Sequence, residues 1–242
     1  MQQIELELAG GGVLTVSLRA SLDAMPAVKQ RPLVLVVPGG GYNHVSPREG
    51  DPVALQFAAA GYHTAVLTYS VGEGAQNYRP LRQLNEALAL LRQNAGEWNI
   101  LPDKIAVCGF SAGGHLALSA AVLDIPGETA QQRPNAVILG YPVITAGEFA
   151  HRGSFVQLAG SEDAAAQQAF TLEDKTVPVE NTLLLLAALR RAGVPCEAHL
   201  FEKGAHGTSI STAEVDAADP HRAHWVALCL EWLGETFGFK LS

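Results

Sequence analysis

Ser111 lies at the centre of the segment 109–113, which reads Gly-Phe-Ser-Ala-Gly. The segment follows an apolar run at 105–108 and precedes a stretch of helical composition. A serine on a tight turn from a strand into a helix is the arrangement in which a hydroxyl acts as a nucleophile. The flanking glycines leave room for neighbouring backbone, and the following helix directs its first N–H groups toward a developing oxyanion. The spacing therefore predicts acyl transfer through Ser111.

A second glycine-rich turn, Pro-Gly-Gly-Gly-Tyr at 38–42, follows the apolar run at 33–37. Backbone N–H groups can face a substrate carbonyl there because glycine has no Cβ to intervene. The predicted oxyanion donors are the N–H groups of Gly40 or Gly41, together with that of Ala112. A phosphate-binding loop is the alternative, but no Gly-Lys-Ser/Thr follows and the spacing is not G-x-G-x-x-G. The turn therefore favours an oxyanion hole over nucleotide binding.

His206 is the candidate general base among eight histidines. It lies in Gly-Ala-His-Gly at 204–207, directly after the apolar segment 196–201. Flanking glycines suit a mobile loop that delivers an imidazole to a serine hydroxyl. The pair Ser111 and His206 is the predicted catalytic core.

Four other histidines carry weaker expectations. His115 stands in the first turns of the helix after the serine and is expected to pack or to form a local hydrogen bond. His221 and His224 are three residues apart, but no third ligand can be identified, so we predict packing rather than a metal site. His44 is close to the glycine-rich turn and could line the pocket.

The elements that must position these residues alternate between strand and helix. Alternating apolar residues in the first twenty positions, interrupted by Gly-Gly-Gly at 10–12, predict an antiparallel hairpin. Further strands are predicted at 33–37, 64–69, 104–108, 136–139 and 196–201, and helices at 51–60, 80–97, 111–123, 179–192 and 221–237. This alternation is typical of an α/β fold with a mostly parallel central sheet and helices on both faces. The apolar run 183–189 is expected to lie in the core.

A single domain over residues 1–242 is predicted, because no linker, repeat or low-complexity tract divides the chain. One stretch does not fit the pattern. Between 141 and 180 there is no convincing apolar strand, although such a sheet is expected to place one there. Its absence would split the sheet.

Composition narrows the partners. The formal net charge is −8, and an acidic surface disfavours nucleic acid and anionic membranes. Three cysteines, at 108, 196 and 229, stand in apolar surroundings and are expected to be buried free thiols. No signal peptide and no transmembrane run can be identified, so we predict a cytoplasmic location without membrane attachment. A small-molecule ester is the expected partner, and the oligomeric state is left open.

The motifs together resemble the acetyl-esterase and acetylxylan-esterase-like (BD-FAE-like) branch of the α/β-hydrolase superfamily. The matching segments are 38–42, 49–54, 103–107, 109–115, 141–144, 174–181 and 201–207. The resemblance implies an α/β-hydrolase fold and a serine esterase that acts on small acyl groups such as acetyl, including those of acetylated sugars. It implies neither metal nor cofactor.

The third member of the triad is expected on a loop between the serine and the histidine, since this fold orders its triad as serine, acid, histidine. Asp174 precedes the helix that leads to the last predicted strand. It would hold the imidazole tautomer and stabilise the imidazolium. Glu173 and Asp163 are the competing acids.

The segment before Asp174 departs from the family pattern, in which an apolar strand runs into this loop. Here residues 164–169 are rich in alanine and glutamine. The spacing between elements suggests that roughly fifteen to twenty residues are absent. Two alternatives to the esterase stay open: an amidase or peptidase-like hydrolase, and a binding protein of the same fold that lost its catalytic acid.

Overall fold

The computed structural model describes residues 1–21, 28–123, 132–159 and 176–241. Its strands are β1 (Gln2–Glu7), β2 (Val13–Leu18), β3 (Arg31–Val37), β4 (His63–Thr68), β5 (Ile100–Phe110) and β6 (Ala136–Gly140). Its helices are α1 (Asp51–Ala59), α2 (Arg79–Gln93), α3 (Ala112–Val122), α4 (Arg152–Ala159), α5 (Glu180–Ala192) and α6 (Pro220–Phe237). Within these residues the sheet order is β1-β2-β4-β3-β5-β6.

The sheet is antiparallel at one edge and parallel elsewhere. The hairpin β1–β2 and the pair β2–β4 are antiparallel, whereas β3 pairs in parallel with both β4 and β5, and β5 pairs in parallel with β6. Parallel pairing requires long crossover connections, and the helices provide them. The predicted α/β class, the mostly parallel sheet and the N-terminal hairpin are confirmed.

Strand β3 shows why the core has two layers. Its side chains are buried on both sides of the sheet, as a strand between two helical layers requires. Leu33 and Leu35 pack into one apolar cluster with α2 and α3, while Val34 and Val36 pack into another with α1 and α6. Alternation along one strand thus separates the two cores.

The ends of helix α6 follow from local chemistry. At its start, the Asp219 carboxylate accepts hydrogen bonds from the backbone N–H groups of His221 and Arg222, at 2.9 and 3.1 Å. This satisfies donors that have no partner within the helix. At its end, Gly238 adopts a left-handed φ of 60°, the common way in which a helix stops.

The predicted strand at 196–201 is wrong. Residues 194–200 form neither helix nor strand and are exposed. A strand needs a neighbour that exchanges backbone hydrogen bonds with it, and none of the described strands pairs with this segment. The described strands form one sheet, which ends at β6.

The region between 141 and 180 is described in part. Residues 141–159 and 176–180 contain α4, which the sequence did not predict, and no strand. Residues 160–175 lie outside the described chain.

The expected core position of the run 183–189 is also wrong. Leu183 and Leu184 on α5 are 48% and 46% exposed, and Asn181 is the buried residue of this helix in the described chain. A helix on a doubly covered sheet buries its apolar face against strands, and the described sheet provides no strand under this part of α5.

The cysteines are free thiols, as expected, but they are not equally buried. Cys108 on β5 is buried, Cys229 on α6 is partly buried and Cys196 is exposed. Cys196 lies in the segment 194–200, which pairs with none of the described strands, and this is consistent with its exposure. Among the helices of the described chain, none combines the length and apolar composition needed to cross a bilayer.

Candidate active site

The candidate site lies where the parallel strands β3, β5 and β6 end. Three segments follow these strands directly: the glycine-rich turn 38–42, the serine turn at Ser111 and the turn at Tyr141. In open parallel sheets, ligands bind at the carboxyl ends of the strands. The topology thus brings together segments that are far apart in the sequence.

Ser111 adopts a strained backbone conformation, with φ of 52° and ψ of −118°. Its N–H donates to the Gly140 carbonyl at 3.0 Å, and its carbonyl accepts from the Val143 N–H at 3.1 Å. A non-glycine residue keeps such a conformation only when its surroundings impose it. Here the end of β6 holds the turn that presents the hydroxyl.

Two glycines are required around the serine because other backbone approaches them closely. A Cβ at Gly109 would lie 2.3 Å from the Gly113 carbonyl oxygen, and one at Gly113 would lie 2.1 Å from the Val37 carbonyl oxygen. Neither position can hold a side chain without moving backbone. The glycines of the serine turn are therefore explained by packing, including packing against the end of β3.

His206 lies within hydrogen-bond distance of the serine. Its Nε2 lies 2.8 Å from the Ser111 Oγ, a hydrogen-bond distance suited to proton transfer. The imidazole also packs edge-on against the Tyr141 ring, with 4.8 Å between ring centroids. The structure brings together the predicted nucleophile and the predicted base, although they are 95 residues apart. Asp174, the predicted acid, and its competitors Glu173 and Asp163 lie outside the described residues.

The predicted oxyanion donors surround the serine turn. The carbonyl of Gly40 accepts from the N–H groups of Asn43 and His44, at 3.0 and 3.2 Å, so the turn folds back on itself. Within the described chain, no hydrogen bond from the N–H groups of Gly40, Gly41 or Ala112 to another residue is found. Ala112 is the first residue of α3, where an N–H has no helical partner. These three N–H groups stay the predicted oxyanion donors.

His115 behaves as predicted. It is partly buried, its Nδ1 lies 2.8 Å from the Tyr42 hydroxyl, and its ring packs edge-on against Phe155 on α4. Burial lowers the pKa of His115 to about 4, so the imidazole is neutral near pH 7. His115 supports the glycine-rich turn through Tyr42.

The remaining candidate histidines lie away from the serine or at its edge. His221 and His224 are neighbours on α6, with 6.4 Å between ring centroids, and His221 packs against Phe201. His44 is exposed beside the glycine-rich turn.

The start of α4 adjoins the glycine-rich turn. A Cβ at Gly41 would lie 3.5 Å from His151 and 3.8 Å from the Ser154 hydroxyl. The His151 Nδ1 and this hydroxyl are 2.8 Å apart. The sequence did not predict helix α4 beside this turn, because the helix is short and only weakly amphipathic.

A buried acid beneath the site was also missed. Glu49 accepts hydrogen bonds from the Gly39 N–H and from the Tyr141 hydroxyl, each at 2.7 Å. Glu49 and Tyr141 both fall in segments that matched the family pattern, which was the available signal. Their pairing across 92 positions could not be read from spacing.

A mostly parallel sheet that carries a strained serine at the end of β5, with a histidine at hydrogen-bond distance, defines an α/β hydrolase. The family model BD-FAE matches residues 23–127. The acetylxylan esterase of Xylanibacter ruminicola is 30% identical over 203 residues, which cover 74% of this chain and 41% of that protein. The chain spans less than half the length of the curated relatives it matches.

Solved structures match over nearly the whole chain. MGS-M1, an α/β hydrolase from a deep-sea metagenome library of the Medee basin, is 33% identical with a TM-score of 0.81 and covers 98% of this chain and 99% of its own. An acetyl ester-xyloside bifunctional hydrolase from Caldicellulosiruptor lactoaceticus is 33% identical with a TM-score of 0.79 and covers 95% and 89%. The chain belongs to the α/β-hydrolase family.

Proposed function

We propose that this domain hydrolyses short-acyl, acetyl-type carboxylic esters, with Ser111 as the nucleophile and His206 as the general base. The observation that carries the proposal is the 2.8 Å contact between the His206 Nε2 and the Ser111 Oγ. A serine hydroxyl is a weak nucleophile until an adjacent base accepts its proton.

The first step forms an acyl-enzyme. The Ser111 Oγ attacks the ester carbonyl carbon while its proton passes to the His206 Nε2. The carbonyl π electrons move to oxygen, and this oxyanion accepts hydrogen bonds from Ala112 and from Gly40 or Gly41. Each such donor contributes on the order of 3 kcal/mol to the transition state. The C–O bond to the alcohol then breaks, and the imidazolium returns the proton to the leaving alkoxide.

The second step releases the acid. Water gives a proton to His206 as its oxygen attacks the acyl carbon, and the same donors hold the second oxyanion. When the ester bond to Ser111 breaks, the imidazolium protonates the serine oxygen. The products are the alcohol and the carboxylic acid, and the enzyme is restored.

Asp174 stays our proposed acid. Its function would be to orient the imidazole and to stabilise its protonated form. We expect Asp174→Asn to lose less activity than a variant that lacks the serine. If Asp174→Asn behaves like the wild type, Glu173 and Asp163 become the candidates.

Acetylated sugars are the substrate class that we propose first. One curated relative is named an acetylxylan esterase, and one structural neighbour is named an acetyl ester-xyloside hydrolase. Residues 43–50, between the glycine-rich turn and α1, contain only turns and one short 3-10 helix at Pro47–Glu49, and long-chain lipases usually need an apolar lid there. A small acyl group and a polar alcohol therefore suit this site better than a long fatty chain.

The test is hydrolysis of p-nitrophenyl acetate and p-nitrophenyl butyrate by the wild type and by Ser111→Ala. We expect turnover that falls with acyl length and a loss of at least roughly 10³-fold in kcat without the serine. Ser119→Ala, a buried serine on the same helix α3, is the matched control and should keep its activity. Full activity of Ser111→Ala would exclude the mechanism.

A fluorophosphonate probe separates the esterase from a binding protein of the same fold, because covalent capture needs an activated serine. Cleavage of p-nitroacetanilide in preference to the acetate ester would favour an amidase instead. A cytoplasmic location is proposed on the three free thiols, and cell fractionation tests it.

A further inference from the structure

Glu49 is a buried carboxylate whose two oxygens have separate partners. Its side chain is 3% exposed. One oxygen accepts from the Gly39 N–H, at the start of the glycine-rich turn, and the other accepts from the Tyr141 hydroxyl, both at 2.7 Å. Each oxygen of the side chain therefore has its own donor.

Tyr141 extends this contact to the loop that carries the base. Its hydroxyl accepts a hydrogen bond from the Ser209 N–H at 2.9 Å, three positions after His206. The Ser209 hydroxyl donates to the Arg48 carbonyl at 2.5 Å, which returns to the residue beside Glu49. The result is a closed set of contacts, which we call the Glu49–Tyr141 link, between the oxyanion loop (38–46) and the base loop (204–211).

Strained backbone occurs at the serine turn and at two residues of the link. Ser111, Tyr141 and Ser209 have positive φ angles of 52°, 36° and 50°. Each such conformation costs on the order of 1–3 kcal/mol and persists only where its surroundings impose it. The link supplies hydrogen bonds to two of these three residues, so it helps to hold the strained turns in place.

The protonation state of Tyr141 fixes which group donates each hydrogen bond of the link. Burial, and next the charge of Glu49, raise the pKa of the Tyr141 phenol well above its ordinary value. The phenol therefore stays protonated near neutral pH. Its O–H donates a hydrogen bond to the Glu49 carboxylate, while its oxygen accepts a hydrogen bond from the base loop.

We propose that Glu49 and Tyr141 are positioning residues that hold the oxyanion loop and the base loop in register across the serine turn. The inference rests on the proposed esterase function, since it assigns these residues to the same reaction. Catalytic groups must stay within about 0.5 Å of their productive geometry. Loss of the link would let His206 and the oxyanion donors move independently, which lowers kcat more than it changes KM.

Glu49→Gln tests the link with almost no change in size. A carboxylate offers an acceptor to each of the two donors, Gly39 N–H and Tyr141 O–H, whereas an amide offers one acceptor and one donor group. One contact must therefore be lost or reversed. Tyr141→Phe removes the hydroxyl but keeps the ring that packs against His206, and it is the second variant if Glu49→Gln does not fold.

The first readout is steady-state hydrolysis of p-nitrophenyl acetate by both single variants and by the double variant. We expect kcat to fall by at least about 10-fold with KM within about 3-fold of wild type. The double variant should be about as active as the weaker of the two single variants. The effects should not add, because both substitutions disrupt the same set of contacts. The matched controls are Glu86→Gln and Tyr62→Phe. The Glu86 carboxylate accepts from the Ala9 N–H, far from the site, and Tyr62 is a buried tyrosine that packs against Phe57.

The second readout is hydrogen exchange of the two loops followed by mass spectrometry. In Glu49→Gln, peptides from the base loop should exchange faster, although no hydrogen bond joins the Glu49 side chain to that loop in the described chain. Tyr141→Phe should accelerate both loops. The proposal is overturned if exchange rises only in the loop adjacent to the substitution, or if the kcat losses are matched by the controls.

Failure of the proposed function gives a different pattern. If the wild type hydrolyses no ester and captures no fluorophosphonate, the esterase proposal falls. The exchange experiment still decides whether Glu49 and Tyr141 couple the two loops.

Discussion

At the scale of single residues, the serine turn combines strain with close packing. Ser111 has a backbone conformation that few side chains adopt, and Gly109 and Gly113 allow other backbone to come within contact of the turn. The hydroxyl is thereby presented to His206 by backbone geometry rather than by side-chain flexibility.

Gly113→Ala is expected to destabilise the protein strongly. Alanine is the better helix former by about 1 kcal/mol, but its Cβ would lie 2.1 Å from the Val37 carbonyl oxygen and 2.4 Å from that of Pro38. We expect a net loss of about 3 kcal/mol or more, as for other overpacked cores. Thermal unfolding and turnover measure the change.

Gly96→Ala is the matched control for this substitution. Gly96 is exposed, and a Cβ at this position would point into open space, with no packed atom within 4 Å. We expect its melting temperature to match that of the wild type or to rise slightly, since alanine restricts the unfolded chain. Equal effects at the two glycines would contradict the packing explanation.

His63 makes stability depend on pH. It is 1% exposed. Its Nδ1 accepts from the Arg19 N–H at 3.0 Å, and its Nε2 lies 3.2 Å from the Asn99 carbonyl oxygen. These partners match one neutral tautomer. Burial, the largest cause, lowers the pKa of His63 to about 4.

The sign of the effect follows from proton binding. Between about pH 6.5, the ordinary pKa of histidine, and about pH 4, the unfolded chain binds a proton at this position and the folded chain does not. The free energy of unfolding therefore falls as the pH is lowered through this window. His115, whose pKa is also lowered to about 4, adds to the same loss.

Urea unfolding of the wild type and of His63→Asn at several pH values between about 7 and about 4 measures this effect. In the asparagine variant the free energy of unfolding should depend less steeply on pH, because the variant lacks the His63 imidazole and keeps that of His115. His221→Asn, at an exposed position, should leave the slope as it is. A slope that His63→Asn does not change would place the titrating group elsewhere.

At the scale of elements, the described sheet ends at a strand with one bonded neighbour. Strand β6 pairs with β5, and its residues are only partly buried. The segment 194–200 is exposed and has no strand partner in the described chain. Helix α5 has solvent-exposed leucines. Strands and the helices that cover them depend on neighbouring strands, and the described residues provide none beside these segments.

Hydrogen exchange should separate these elements. Amides of residues 196–200 are expected to exchange within seconds, since they lie outside every described helix and strand, whereas those of β5 between residues 105 and 109 should be protected for hours. Mass spectrometry of peptic peptides measures both in one experiment. Comparable protection of the two segments would show that residues 196–200 belong to a sheet.

At the scale of the whole molecule, charge sets the class of partner. The formal net charge is −8, and a net negative charge disfavours binding to nucleic acids. We expect no shift of duplex DNA in a gel at about 50 mM salt, where non-specific electrostatic binding is strong. Retardation of the DNA would reveal a local basic patch. The single domain over residues 1–242 stays a prediction at this scale.

Local pattern and spacing were sufficient for much of this protein. The alternation of strands and helices from β1 to α3 was predictable because each element carries its own periodicity. Ser111 and His206 were predictable because their short glycine-flanked segments show which residue types stand at a turn. None of these inferences required knowledge of a distant neighbour.

Only the tertiary structure decided which segments meet. The contact between Glu49 and Tyr141 joins residues 92 positions apart, and no local pattern encodes such a pair. The apolar segment 196–201 has the composition of a strand, but a strand exists only where another offers it backbone hydrogen bonds. The sequence by itself therefore determined which residue types stand at the candidate site, whereas their alignment and the edge of the sheet depend on neighbours that folding alone brings together.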